Sequence, residues 1–277
     1  MSETSQTNLK TNSKPDLKPD LKPDLKPDLK PDPKPDLKKI GPDKNSRINV
    51  IKFALLVSFV CSLLITAAAG GLKGFQQENI ELDKRLNLLK AANLVDPDKK
   101  PSKQEIKRLY DTHIQAAIVD SQGKIIETDT SDSMHLYFYK TEDVIQGYIL
   151  PINSRGLWGK IQGYLAFEND GQTVSGFSVF SHSETPGLGG EIESAWFQKN
   201  FKGKKILNSQ NKFVSVGIAK GKVANLPEKD QENYVDGISG ATLTGKYLSE
   251  GIKSTLTQYE SVSITFRQKN LTAKETN

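Results

Sequence analysis

Twenty consecutive residues, Phe53 to Leu72, carry no charged side chain, and this stretch constrains the fold more than any other. At 1.5 Å per residue, a helix over them spans about 30 Å, the hydrocarbon thickness of a bilayer. The segment is expected to be a membrane anchor, with the membrane as a partner. Ala67-Ala68-Ala69 resembles a signal-peptide cleavage site, but about 50 residues precede the apolar core, far more than the short charged region of a signal peptide. Lys38, Lys39, Lys44, Arg47 and Lys52 come before the segment and Lys73, Lys84 and Arg85 after it. That bias of basic residues places the N-terminus in the cytoplasm. The expected location is the cell inner (cytoplasmic) membrane, crossed once, with a periplasmic C-terminal domain. Cys61, the only cysteine, lies within the anchor. It excludes an intrachain disulfide, a thiolate zinc site and an iron–sulfur cluster bound by this chain alone.

Three regions follow from the anchor: a cytoplasmic tail over 1–48, a transmembrane helix over 49–74 and an extracytoplasmic domain over 75–277. From Lys14 to Leu37 the tail repeats Lys-Pro-Asp-Leu in five of six copies and Lys-Pro-Asp-Pro in the other. A proline in every unit forbids a helix, at about 3 kcal/mol for each interior proline. An extended, disordered spacer is expected, with a docking segment as the alternative. Residues 1–52 hold 12 Lys/Arg against 8 Asp/Glu, and the remaining residues 26 against 25. The net charge of +5 thus belongs mostly to the tail, and the near-neutral domain lacks the basic face that nucleic-acid binding requires.

Within the domain, Asn79 to Leu94 reads as a helix leading out of the membrane, ended by Asp96-Pro97-Asp98. Ser102 to Tyr110 reads as a second helix, with Ser102 as cap and Glu105 at the capping-box position. Ala116–Val119 and Lys124–Ile126 flank Asp-Ser-Gln-Gly as a hairpin, and Tyr164–Phe167 and Val174–Phe180 flank Asn169-Asp170-Gly171 as another. Strands predominate through the middle, with helices near 191–201 and 245–259. The expected fold class is α+β, with a mostly antiparallel sheet.

No acid–base or metal centre stands out. His113, His135 and His182 have no metal-binding spacing, and the chain has no nucleophile elbow or phosphate-binding glycine loop. No catalytic residue and no metal ligand is therefore assigned. Two segments do stand out. In His182-Ser183-Glu184-Thr185-Pro186-Gly187-Leu188-Gly189-Gly190-Glu191, Pro186-Gly187 suits the centre of a type II turn, and the glycines permit close backbone approach. A strand-to-helix turn would account for the glycines but not for Glu184 and Thr185. The second segment, Asp236-Gly237-Ile238-Ser239-Gly240-Ala241-Thr242-Leu243-Thr244, precedes a helix bearing Leu243, Tyr247, Leu248, Ile252, Leu256 and Tyr259. Helix-start amides and the helix dipole favour a phosphate there, and Gly240-Ala241 leaves room for a group on Thr242. Capping of the helix by Ser239, Thr242 or Thr244 is an equally physical role.

Asp236-Gly237-Ile238-Ser239-Gly240-Ala241-Thr242 resembles the Asp-x-x-Ser/Thr-Gly-Ala-Thr signal at which a flavin transferase esterifies FMN, through its phosphate, to the last threonine. With Glu184-Thr185-Pro186-Gly187-Leu188-Gly189, Gly156-Leu157-Trp158-Gly159, Leu89-Lys90-Ala91-Ala92 and the single anchor, the chain is similar over about residues 50 to 260 to the C subunits of sodium-translocating NADH:quinone oxidoreductases. The resemblance implies covalently attached FMN on Thr242. It implies FMN-binding roles for Asp236, Ser239, Gly240, Ala241 and Leu243, and a loop of Glu184, Thr185, Gly187, Leu188 and Gly189 facing the flavin. It also implies electron relay from NADH toward quinone, the other subunits of that membrane complex as partners, and a flavin transferase during maturation. The related G subunit of ferredoxin/NAD electron-transport complexes shares the anchor and the threonine-linked FMN, and a cofactor-free, membrane-tethered interaction module needs only the capping role. The Lys-Pro-Asp-Leu tail has no counterpart in the family pattern.

Overall fold

The computed structural model describes residues 44–275 except residue 143. The Lys-Pro-Asp-Leu repeat, expected as a disordered tail, lies outside the described residues. The described residues divide into two units, with the boundary between Leu64 and Ile65. Helix α1, Lys44–Ala91, has no interruption. The most apolar 18-residue window of its Ser46–Ala91 portion has a mean hydropathy of 2.3, and none of that window is buried against protein. By length and composition this helix can cross a membrane.

The helix stops earlier than Asp96-Pro97-Asp98. Asn93 takes the left-handed conformation (φ 56°), and the amide of Leu94 donates to the carbonyl of Leu89 at 2.9 Å, which is the Schellman pattern of a helix end. Asn93 is one of the few residue types that tolerate this conformation, so it stops the helix before the proline can. Its side-chain amide also donates to the carbonyl of Ser175, tying the helix end to the sheet.

Helix α2, Lys103–His113, starts as expected: the Ser102 hydroxyl accepts from the amide of Glu105 at 3.2 Å. Strands β1 (Ile114–Val119), β2 (Ile125–Ile126), β3 (Met134–Thr141), β4 (Val144–Arg155), β5 (Lys160–Glu168) and β6 (Val174–Ser181) form one sheet in the order β2-β1-β3-β4-β5-β6. Every neighbouring pair in it is antiparallel. Both hairpins lie where the turn residues placed them. Thr173 and Gln172 donate backbone N–H groups to the Asp170 carboxylate, at 2.8 and 2.9 Å, to close the second.

Helices cover both faces of this sheet, which is why β4 reads as the apolar run Tyr148-Ile149-Leu150 and not as an alternation. Ile149 faces Leu88, Leu89 and Ala91 of α1 and Ile106 of α2. Tyr148, Leu150 and Ile152 face the opposite layer. Pro151 is tolerated within β4 because the register with β3 runs only from Val144 to Ile149, leaving one neighbour at the proline.

The opposite layer consists of α3 (Ala195–Lys199), α4 (Thr242–Gln258) and α5 (Glu260–Glu275). A two-stranded parallel pair, β7 (Gly217–Ile218) and β8 (Tyr234–Val235), lies against α4. Leu248, Ile252 and Leu256 repeat every fourth residue on α4 and are fully buried, each contributing roughly 1.5–3 kcal/mol by removal from water. Leu243, expected on that face, is exposed, and Thr244 takes the buried position. The helix expected over 191–201 is divided into a 3-10 turn, Gly189–Glu193, and α3. At the break, Ser194 is extended (ψ 143°) and its hydroxyl donates to the carbonyl of Glu191 at 2.6 Å, a local side-chain bond that competes with helix continuation. The architecture is α+β with a mostly antiparallel sheet, as expected.

Candidate functional site

Three segments far apart in the chain meet at the N-terminal end of α4. The first leaves the edge strand β6. Pro186 and Gly187 occupy the centre of a turn closed by the amide of Leu188 on the carbonyl of Thr185, at 3.1 Å. Gly187 has φ +73°, as the third position of a type II turn requires. Beyond the turn, Ile192 and Phe197 are fully buried, and the Phe197 ring meets Phe177 and Phe201 edge-on. The loop is thus pinned on the sheet side and open at the turn.

The second segment is the tip of the β4–β5 hairpin, Gly156-Leu157-Trp158-Gly159. The base of this hairpin is fixed to α4: the Ser154 hydroxyl donates to the carbonyl of Tyr247 at 2.8 Å, and the Arg155 guanidinium lies over the Tyr247 ring. The third segment is Asp236–Thr244, which runs from β8 into α4.

Glu184 joins all three. It is 5% exposed, and its carboxylate accepts from the backbone N–H of Trp158 at 3.0 Å and from the Thr244 hydroxyl at 2.5 Å. The fit leaves no room for side chains: a Cβ at Gly156 would lie 2.5 Å from Oε1 of Glu184, and one at Gly189 would lie 2.8 Å from its Oε2. Leu188 closes the contact from the other side, its Cδ2 2.8 Å from where a Gly240 Cβ would be. The sequence marks Thr244 only as a possible cap. Its bond to Glu184 spans sixty positions, and no local signal announces it.

Thr242 is the first residue of α4 and is exposed. The residue ahead of it, Ala241, supplies no side-chain cap to a helix of 17 residues. Capping by Ser239, Thr242 or Thr244 is therefore not what the structure contains. Ser239, Gly240 and Leu243 are exposed around Thr242, Ala241 is buried, and Thr185, Gly187 and Leu188 are exposed on the facing loop. Asp236 points away: its carboxylate accepts from Lys222 Nζ at 2.8 Å and from the amide of Val223 at 2.7 Å. The Lys222 hydrogen bond, then the Val223 amide, hold this carboxyl below its ordinary range. These bonds tie the strand-to-helix loop to residues 222 and 223.

Beside Thr242 opens a cleft of about 530 Å³, lined by Lys246, Ser249 and Lys253 of α4, by residues 214–220 and by Tyr234. Its volume suits a small-molecule site. The Ser249 hydroxyl accepts from the amide of Ile218 at 2.9 Å, so β7 forms a fixed wall. Nothing in the sequence around 214–220 points to this wall. On the loop side the surface is apolar: Leu157 is 43% exposed, Trp158 70%, Leu188 44% and Leu243 48%. A solvent-facing hydroxyl, uncapped helix amides, lysines and apolar side chains fit a phosphate-bearing, largely aromatic group.

Among the described residues, no group of His, Cys, Asp and Glu could hold a metal ion. His113 Nδ1 lies 2.8 Å from the carbonyl of Lys140, and His135 pairs with Asp129 at 3.1 Å.

Residues 156–257 match the family model of the FMN-binding domain, a span that contains all three converging segments. The chain is 32% identical over 247 residues to the C subunit of the Na(+)-translocating NADH-quinone reductase of Pasteurella multocida, covering 78% of this chain and 92% of that relative. It is 32% identical over 237 residues to the protein of the same name from Pseudomonas aeruginosa, covering 74% and 89%. The crystal structure of the corresponding C subunit from Parabacteroides distasonis aligns with a TM-score of 0.60 at 30% identity, covering 69% of this chain and 96% of the other. NqrC of Shewanella oneidensis aligns at 0.54 with 19% identity, covering 67% and 98%, and shows the shared fold.

Proposed function

The chain belongs to the family of C subunits of the Na+-translocating NADH-quinone reductase, and from that membership and the site's geometry we propose that it carries FMN covalently, through the phosphate, on Thr242. It is an FMN-binding electron carrier of an oxidoreductase complex, and the other subunits of that complex are its partners. The observation that carries the Thr242 assignment is an exposed hydroxyl at the uncapped start of α4, within a complete flavin-attachment signal.

Bound FMN supplies the chemistry of accepting and giving up electrons, which no side chain here provides. The chain's residues hold and orient it. In the transferase reaction the Thr242 oxygen would form a new P–O bond as its proton leaves, the bond broken being the one between that phosphorus and the leaving group of an activated flavin donor, and the first-turn amides and the dipole of α4 favour the phosphate charge. Gly240 and Ala241 keep bulk away from the ester. Leu188, Leu243 and Trp158 offer exposed apolar surface to a flavin ring, and Glu184 fixes the segments that bear all three. A phosphoester tether retains a cofactor that free diffusion would otherwise remove.

Residues 49–74 cross the membrane in this account, and residues 75–277 lie in the periplasm, where a flavin transferase meets the exposed Thr242. The decisive variant is Thr242→Ala. It is expected to abolish flavin fluorescence in denaturing gels of the full-length chain made with its transferase, while Thr244→Ala, past the signal, retains it. Fluorescence that survives in Thr242→Ala would remove Thr242 as the attachment point.

A further inference from the structure

His182 follows directly after β6, at the point where the flavin loop departs, and its side chain is 13% exposed. Its two ring nitrogens have different partners. The backbone N–H of Glu184 lies 3.1 Å from Nδ1; a main-chain amide only donates, so Nδ1 is the acceptor. Nε2 lies 3.1 Å from Oε2 of Glu193; an ionised carboxylate only accepts, so Nε2 carries the proton. Together the partners select one form of the ring, the neutral Nε2–H tautomer. A ring protonated on both nitrogens would set its Nδ1–H against the Glu184 N–H, and that bond would break.

The ring is also seated sterically. A Cβ at Gly190 would lie 3.1 Å from the carbonyl oxygen of Thr185 and 3.5 Å from Cε1 of His182, so the loop folds back tightly against the imidazole. Glu193 ends the 3-10 turn, with Asp83 of α1 in its field. Burial, then the charge of Glu193, raise the Asp83 carboxyl above its ordinary value, and Lys90 opposes them. The charged group that meets the ring is Glu193 from the 3-10 turn, and Glu184 lies two positions away on its own loop.

We propose that His182 is a positioning residue of the flavin site: as the neutral Nε2–H tautomer it fixes the main chain at Glu184, whose carboxylate ties the β4–β5 tip to the head of α4. The proposal rests on the assignment of FMN to Thr242. It makes the flavin's surroundings depend on a side chain that the signal motif does not contain.

The test compares wild type, His182→Asn and His182→Leu as full-length chains made with the flavin transferase and purified in detergent. An asparagine side-chain oxygen can accept from the Glu184 amide; leucine fills space and accepts nothing. The readouts are visible circular dichroism of the bound flavin and its quenching by iodide. His182→Asn should keep the wild-type signal, and His182→Leu should show an altered signal and greater quenching. An asparagine variant that departs from wild type as far as the leucine variant does, or a leucine variant matching wild type, would overturn the proposal. Chains lacking flavin on Thr242 would contradict the attachment reading instead. The same comparison then runs on Trp158 emission in a Trp196→Phe background, because the Trp158 amide binds the carboxylate that His182 positions.

Discussion

Thr244→Val removes one hydrogen bond and little else, which makes it the sharpest probe of how the three site segments are held together. Thr244 is 2% exposed and Glu184 5%, so water does not replace the lost hydroxyl, and Oε2 of Glu184 is left without its 2.5 Å donor. Hydrogen bonds to charged groups contribute about 1.5–3 kcal/mol, and a buried group left unpaired costs a similar amount. For a domain of this size each kcal/mol shifts Tm by about 2–4 °C, giving an expected fall of roughly 3–12 °C. The assay is thermal unfolding followed by tryptophan emission. It reports locally, because the two tryptophans, Trp158 and Trp196, sit on the β4–β5 tip and on α3 beside the flavin loop. Thr244→Ser keeps the donor and should cost under about 1 kcal/mol. In a double-mutant cycle with Glu184→Gln, the two positions should couple by more than about 0.5 kcal/mol. Equal melting of the valine and serine variants, or additive effects in the cycle, would refute the clasp.

Two further outcomes follow from the electrostatics and the anchor. The Asp236 carboxyl is held below its ordinary range, so its ionised form favours the folded state. That contribution is complete above the ordinary value of about 3.9 and is lost as pH falls through the folded value. Asp236→Asn should lower Tm at pH 7, and its difference from wild type should begin to shrink as pH falls below about 4 and be lost below the folded value; a constant difference would contradict the pairing with Lys222. Protease added outside spheroplasts should digest the C-terminal domain and spare the Lys-Pro-Asp-Leu tail, whereas a mature chain starting after Ala69 would remove the anchor.

Local chemistry was legible in the sequence wherever one residue decided the outcome. Ser102 caps α2, Asp170-Gly171 turns the β5–β6 hairpin, and Pro186-Gly187 makes its turn, because each acts within three or four positions of itself. The apolar seam of α4 was visible from its spacing, but Leu243 and Thr244 exchanged faces, since adjacent helical residues differ by 100° and the head of a helix follows its tertiary contacts. Helix α5 was missed although Val262 and Phe266 repeat at i, i+4, because Tyr259 looked like an end. What remained hidden was long-range. The Glu184 to Thr244 bond, the turn of Asp236 toward Lys222, and the wall of the cleft from 214 to 220 depend on the packed fold, not on neighbouring residues.

The central claim is the phosphoester on Thr242. The direct measurement is the mass of the peptide containing Thr242, digested from the full-length chain taken from membranes that contain the active complex. The expected mass exceeds that of the unmodified peptide by one FMN less one water, with fragmentation placing the addition on Thr242 and leaving Ser239 and Thr244 unmodified. An unmodified Thr242 peptide from such membranes, or the same addition on a different residue, would contradict the account.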